Sequence, residues 1–317
     1  MQLRDVDAFS NKTMKNIFSA AAILGLLLSG CVTSYAWSSP GHMVIAAIAY
    51  RDLSVTERAN VDELLRHHPD YQKWTNSIRG GAPDLGLGAY IFMRASVWPD
   101  EIRRKGNPYD HPEWHYIDYP LTPPNFPELP APSPGNDILY GIRQSEMMLT
   151  NQTSTSEEKA VYLSWIIHLV GDIHQPLHCA TLVNADYPAP FGDKGGNNFY
   201  VRPTEAPVSL HAIWDKALGS GINARSQFNY AIAISKVYPR INLPELTKYK
   251  TPDGWSIESR DIAVASGYLS GTLKGSKEKA GAPSLPPDYL QNAKRISEKQ
   301  AALAGYRLED EITKLLR

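Results

Sequence analysis

His168-Leu-Val-Gly-Asp172-Ile-His174-Gln-Pro-Leu-His178 gathers three histidines and a carboxylate into eleven residues. His168 and Asp172 are spaced i, i+4, so on a helix they share a face. Pro176 breaks that helix and puts His178 on a turn just beyond it. His211-Ala-Ile-Trp-Asp215 repeats the His-x-x-x-Asp spacing. Neutral imidazole and carboxylate are the usual non-cysteine ligands of zinc and related divalent ions. One such pair is more often a hydrogen bond along a helix face. Two pairs, with a further histidine after a proline break, point to metal. Asp100 in Trp98-Pro99-Asp100, His115 in Trp114-His115-Tyr116-Ile117-Asp118, and His42 add donors upstream. An exported chain with these donors suits a metallohydrolase, with the substrate left open.

The elements that must carry these residues read as helices. Residues 41–51 are strongly apolar and predict a buried helix. Ser54-Val55-Thr56-Glu57 is a capping box that opens a second helix, to about His67. Thr155-Ser156-Glu157-Glu158 is another, followed by the apolar run from Ala160 to Val170. Asn136 or Asp137 caps a helix to about Leu149. Helical patterns also cover about 208–218, 223–238, 256–271 and 288–317. No long alternating pattern predicts strands. The turn-rich run from Gly192 to Asn198, followed by Phe199-Tyr200-Val201, admits a short hairpin around 192–202. Seven prolines in 119–135 exclude a helix there and predict a surface loop or lid. Residues 272–287 read as a polar loop. No linker divides the motifs, so the expectation is a mainly α, single helical domain over 37–317.

The first 36 residues have the order of an export signal. Lys12 and Lys15 precede an apolar run from Ile17 to Gly30, which is short for a membrane span. Met14 opens a conventional signal, in which case residues 1–13 reflect a misplaced start. Ser34-Tyr35-Ala36 predicts cleavage before Trp37. Leu28-Ser29-Gly30-Cys31 instead resembles a lipoprotein box, with Cys31 lipidated. Only two cysteines, Cys31 and Cys179, are present, so no disulfide framework holds the fold. With a net charge of −1 there is no global basic field. That excludes affinity built mainly on phosphate neutralisation, and it does not exclude a nucleic-acid substrate.

Taken in order and spacing, these motifs resemble the zinc-dependent single-strand-specific nucleases of fungi, plants and bacteria, the S1/P1 nucleases, relatives of the zinc phospholipases C. The resemblance runs from Trp37 through at least Asp215, and the helical patterns beyond fit the family's all-α fold. It implies an all-α fold and a site for three Zn2+ ions. Asp100, His115, His168 and Asp172 would hold one. Trp37, through a free α-amino group and its carbonyl, would hold a second with His42 and the bridging Asp172. His178, His211 and Asp215 would hold the third. A Trp37 left internal would offer an amide, a poor ligand, so the resemblance favours cleavage before Trp37 over lipidation at Cys31.

The implied activity is an endonuclease and 3′-nucleotidase hydrolysing single-stranded DNA and RNA to 5′-phosphorylated products. Water acidified by the metal cluster is the implied nucleophile. Arg103 matches an arginine that holds charge on phosphoryl oxygens. Asp118 matches a residue that bonds a base edge, and Tyr116 sits where the family places a stacking aromatic. The alternative is a zinc phospholipase C-like phosphodiesterase. The short gap from Trp37 to His42, and Asp215 where the lipases use Glu, argue against it. The expected protein is periplasmic or secreted and monomeric, with no membrane span and no stable protein partner. Other residues carry plainer expectations. His174 supports the site or packs in the core, His67 and His68 are solvated, and His111 is an exposed loop residue. Asn197 lines the cleft, and Trp74, Trp165 and Trp214 are core.

Overall fold

A computed structural model describes residues 37–316 except 82, 104, 105 and 222. The expected export signal, residues 1–36, and Cys31 with it, lie outside the described residues. The α-helices run, in chain order, α1 Ser39–Asp52, α2 Val55–Leu65, α3 Tyr71–Gly81, α4 Leu87–Ala95, α5 Trp98–Ile102 and α6 Ile138–Thr150. They continue as α7 Ser156–Asp172, α8 Leu210–Asp215, α9 Ala224–Val237, α10 Glu245–Lys248, α11 Pro252–Ile262 and α12 Tyr289–Leu315.

The predicted caps do start the helices. Ser54 and Glu57 close a reciprocal capping box on α2, and Thr155 and Glu158 close one on α7. Of the two candidates for α6, Asp137 is the cap, accepting from Tyr140 N–H at 2.9 Å. α1 is apolar on every side, and every residue from Pro40 to Tyr50 is buried. A helix without a polar stripe belongs in the middle of a bundle. α1 packs there against α4, α7, α9 and α12. Beyond its first turn α7 is buried in the same way, from Ala160 to Asp172 apart from Tyr162. The two central helices therefore carry His42, His168 and Asp172 inside the core.

Strands are short. β1 Pro120–Leu121 pairs in parallel with β2 Thr181–Leu182. β3 Tyr200–Val201 pairs antiparallel with β4 Val208–Ser209, Tyr200 opposite Ser209. The hairpin therefore lies downstream of the predicted 192–202. Gly192, Lys194, Gly195 and Gly196 all have positive φ, which no strand accommodates. The proline-rich segment contains β1 and otherwise runs irregularly, with no helix. The pattern at 256–271 begins earlier, at Pro252, where Thr251 caps the helix. It then widens into a π turn at Ala263–Gly267. Among the described residues no helix is long and apolar enough to cross a membrane.

Candidate metal centre

The C-terminal turn of α7 presents His168 and Asp172 on one face, as their spacing requires. Around them come Asp100 from α5, His115 from the 3-10 turn Pro112–His115, and His42 from α1. The 3-10 turn Pro176–Cys179 supplies His178, and α8 supplies His211 and Asp215. All eight side chains are buried. They fall into overlapping donor sets: Asp100, His115 and His168; His42, His168 and Asp172; and His178, His211 and Asp215. Within each set the ligand atoms lie within 4.8 Å of one another.

Asp172 is the hub. Its Oδ2 is 3.0 Å from both His115 Nδ1 and His168 Nε2. Its Oδ1 is 3.3 Å from His42 Nε2 and 3.5 Å from His178 Nδ1. Asp100 Oδ1 lies 3.9 Å from His115 Nδ1 and 4.0 Å from His168 Nε2. In the third set Asp215 reaches His178 Nε2 at 3.7 Å and His211 Nε2 at 3.4 Å. Four ligands about 2.0–2.1 Å from a tetrahedral zinc stand roughly 3.3 Å apart, which is the spacing of these atoms.

The donor chemistry fits a cation. His168, His178 and His211 each direct Nδ1 to a backbone carbonyl, of Ser96, His115 and Gly195, at 2.8, 2.8 and 2.7 Å. A carbonyl only accepts, so each Nδ1 carries the proton and each Nε2 keeps a lone pair for the cluster. His42 Nε2, Asp100 Oδ1, Asp172 Oδ1 and His178 Nε2 are buried without a hydrogen-bond partner. Each such atom costs about 1–3 kcal/mol unless something satisfies it. Burial pushes His42 down to about 4 and His115 to about 3, so both rings are neutral, as ligands must be. Burial also raises Asp100 to about 6 and Asp215 to about 8. Burial works against the Asp172 anion too, but His168, then His178 and the hydrogen bonds from His115 and His168, outweigh it and hold this carboxyl well below the usual range. Burial lowers His168 in turn, but Asp172 and Asp100 outweigh it and raise this ring, so it can hold a proton that a bound cation would displace. Gly171 makes room here, because a Cβ on it would stand 2.8 Å from His42 Nδ1.

Trp37 is buried beside the hub. Its indole N–H donates to Gly171 O at 2.9 Å, and Ser38 N–H donates to Asp215 O at 3.0 Å. These two bonds tie this end of the described chain to both α7 and α8. Arg103 caps α5, with Nη1 3.7 Å from Asp100 Oδ1. The chain leaves His115 extended at Tyr116, and Ile117 turns into the core. Tyr116 is 41 % exposed. Ile117 N–H donates to His178 O at 2.8 Å, which pins this segment to the third donor set. Burial, reinforced by Asp193, raises the Asp118 carboxyl to about 6, while His178 and Lys194 pull it down.

One expected solvated histidine is not solvated. His68 is buried, stacked on Trp74 at 4.3 Å and set edge-on to Trp98 at 4.7 Å. His111 is half-buried against Trp114, with ring centroids 3.8 Å apart. His174 is core, between Val170 O and the Arg307 guanidinium. Trp74, Trp165 and Trp214 are fully buried. Asn197 bonds back to Lys194 O within its own loop. Gln175 went unread in the sequence. It is fully buried, and its Nε2 donates to Asp215 Oδ1 at 2.7 Å. Its signal was available, since a polar amide stands among ligands in an otherwise apolar run.

A family model described as S1/P1 Nuclease matches residues 37–317. The chain is 24% identical over 329 residues to Endonuclease 4 of Arabidopsis thaliana, covering 94% of each chain. It is 22% identical over 295 residues to Nuclease S1 of Aspergillus oryzae, covering 87% of this chain and 90% of the relative. With Nuclease P1 of Penicillium citrinum it shares 25% identity over 183 residues, 56% and 57% of the two chains.

Proposed function

The chain belongs to the S1/P1 nuclease family, phosphodiesterases that act on nucleic acids, and we propose that it is an exported, zinc-dependent endonuclease and 3′-nucleotidase for single-stranded DNA and RNA. Its products would carry 5′-phosphates. The observation that supports the metal is the convergence of buried imidazole and carboxylate donors on Asp172 and Asp215, with His42 Nε2, Asp100 Oδ1, Asp172 Oδ1 and His178 Nε2 lacking a hydrogen-bond partner. Asp100, His115, His168 and Asp172 would hold one zinc. His42, Asp172 and a Trp37 freed by signal cleavage would hold a second, and His178, His211 and Asp215 a third. Zinc bound there supplies Lewis acidity, acidifying water and drawing charge from phosphoryl oxygens.

The remaining residues bind and orient. Arg103 beside Asp100 is suited to hold charge on a phosphoryl oxygen, the role that electrostatic preorganisation gives a guanidinium. The exposed Tyr116 ring offers a face for one base, and Asp118 an acceptor for that base's N–H groups. Together they would select unpaired strands, because a duplex hides its base faces. The test is incubation of zinc-loaded protein beginning at Trp37 with a single strand and with the matching duplex. Preferential cutting of the single strand, with 5′-phosphate ends, is expected. Hydrolysis of phosphatidylcholine without cutting of DNA would replace this reading with the phospholipase one.

A further inference from the structure

A lone exposed apolar side chain is ordinary. Phe191 is less so, because of how firmly it is held and what stands beside it. Its ring is 68 % exposed. Its carbonyl accepts from Thr181 Oγ1–H at 3.2 Å. Gly192 N–H closes a turn on Pro188 O at 3.1 Å, and Asp193 N–H bonds Leu182 O at 2.9 Å. The fully buried Asp193 carboxylate accepts from Leu182 N–H at 2.9 Å and from the Tyr268 hydroxyl at 2.8 Å. A loop anchored this way holds its tip in one place, so Phe191 is presented at little ordering cost.

The anchors also fix where the tip lies. Thr181 N–H donates to the carbonyl of Tyr119, the residue after Asp118, at 3.0 Å. Four residues beyond Phe191, the Gly195 carbonyl accepts from His211 Nδ1–H at 2.7 Å. The loop thus spans from the base-binding segment to the third donor set. Lys194, one residue before Gly195, is exposed and in a left-handed conformation with φ of 56°. Its Nζ is 5.9 Å from the Phe191 ring centroid, and its charge is felt by the Asp118 carboxyl.

We propose that Phe191 and Lys194 form a neighbouring-base subsite. Phe191 stacks the base adjacent to the one held at Tyr116 and Asp118, and Lys194 takes the phosphate that joins the two nucleotides. The inference rests on the nuclease reading of the site and adds to it a preference for strands over mononucleotides. Stacking on a bare ring needs no base-edge contacts, so this subsite tolerates any sequence. A single lysine adds one phosphate contact, in keeping with a chain of net charge −1.

The test compares KM and kcat on oligothymidylate and on thymidine 3′-monophosphate, alongside Kd for an uncleavable phosphorothioate oligothymidylate. Phe191→Ala is expected to raise KM and Kd for the oligomer about tenfold relative to the mononucleotide, and Phe191→Trp to restore them. Lys194→Gln is expected to flatten the dependence of log Kd on log salt by about 0.7, one phosphate on a single strand. If Phe191→Ala leaves the ratio of the two substrates at its wild-type value, the subsite is wrong, as it would be for an aromatic that meets a lipid surface or another protein. A wild-type enzyme that cuts DNA while Phe191→Ala matches it overturns the subsite alone. A wild-type enzyme that neither binds nor cuts the oligomer overturns the nuclease reading with it.

Discussion

Gln175 shows how a site can depend on a residue that binds neither metal nor substrate. Its Oε1 accepts from Leu177 N–H at 2.6 Å while its Nε2 holds Asp215 Oδ1 at 2.7 Å. The amide therefore fixes the carboxylate in the orientation that faces His178 and His211. Losing such an outer contact typically costs about 10–100-fold in metal affinity. Gln175→Leu should weaken one class of zinc site by that factor, read by competition with a graded chelator. Unchanged affinity for every zinc would remove Gln175 from the account. His68 makes a different prediction. Burial lowers it from 6.5 to about 3, so between those values the unfolded chain binds a proton that the folded chain does not. Stability is then fully present above pH 6.5 and falls as pH drops toward about 3, by at most about 1.4 kcal/mol per pH unit. His68→Phe keeps a ring between Trp74 and Trp98 and removes the proton site. Its melting temperature should fall less steeply below pH 6.5 than that of wild type. Parallel curves would contradict the assignment. His168 with Asp172, and His211 with Asp215, were legible as pairs because a helix period sets who shares a face, and His178 because a proline break comes just before it. That His42, Asp100 and His115 join them followed only from the family resemblance, since no local period links residues so far apart in sequence. The burial of His68 was not legible, because nothing beside Pro69 says that Trp74 and Trp98 will close over it.

At the scale of elements, the sequence announces helices where their starts are chemical. Ser54 with Glu57, Thr155 with Glu158, and Asp137 satisfy orphan N–H groups with side chains that can be read directly. α4, α5 and α10 have no side-chain cap bond, and together with α3 they fall outside the helical patterns read from the sequence. The β1–β2 pairing was unreadable for another reason: two residues have no period, and their partners lie far apart in sequence. Contact between elements is legible only afterwards. α12 crosses α1 at Gly305, where an added Cβ would stand 2.5 Å from Ile48 Cγ2. Alanine gains about 1 kcal/mol of helix propensity, but overpacking a buried helix contact costs about 1–3 kcal/mol. At so short a distance the clash should win, so Gly305→Ala should lower the melting temperature. A rise would show that the helices separate freely there. α1 also carries His42, so this packing contact helps hold a donor in register.

At the scale of the molecule, the described residues hold one cysteine, Cys179, which is free and buried and joins no disulfide. Helix packing holds the ring of donors, and zinc would stabilise it further, since a metal bound only by the folded state adds its binding energy to folding. The account therefore stands on whether these donors take metal and whether that metal makes the chain a nuclease. The direct measurement is hydrolysis of single-stranded DNA by metal-free protein beginning at Trp37, followed as zinc is added equivalent by equivalent. The account predicts no cutting at the start and a rise that levels off at three equivalents, with 5′-phosphorylated products. Cutting that persists in the metal-free protein, or none at full zinc loading, would contradict it.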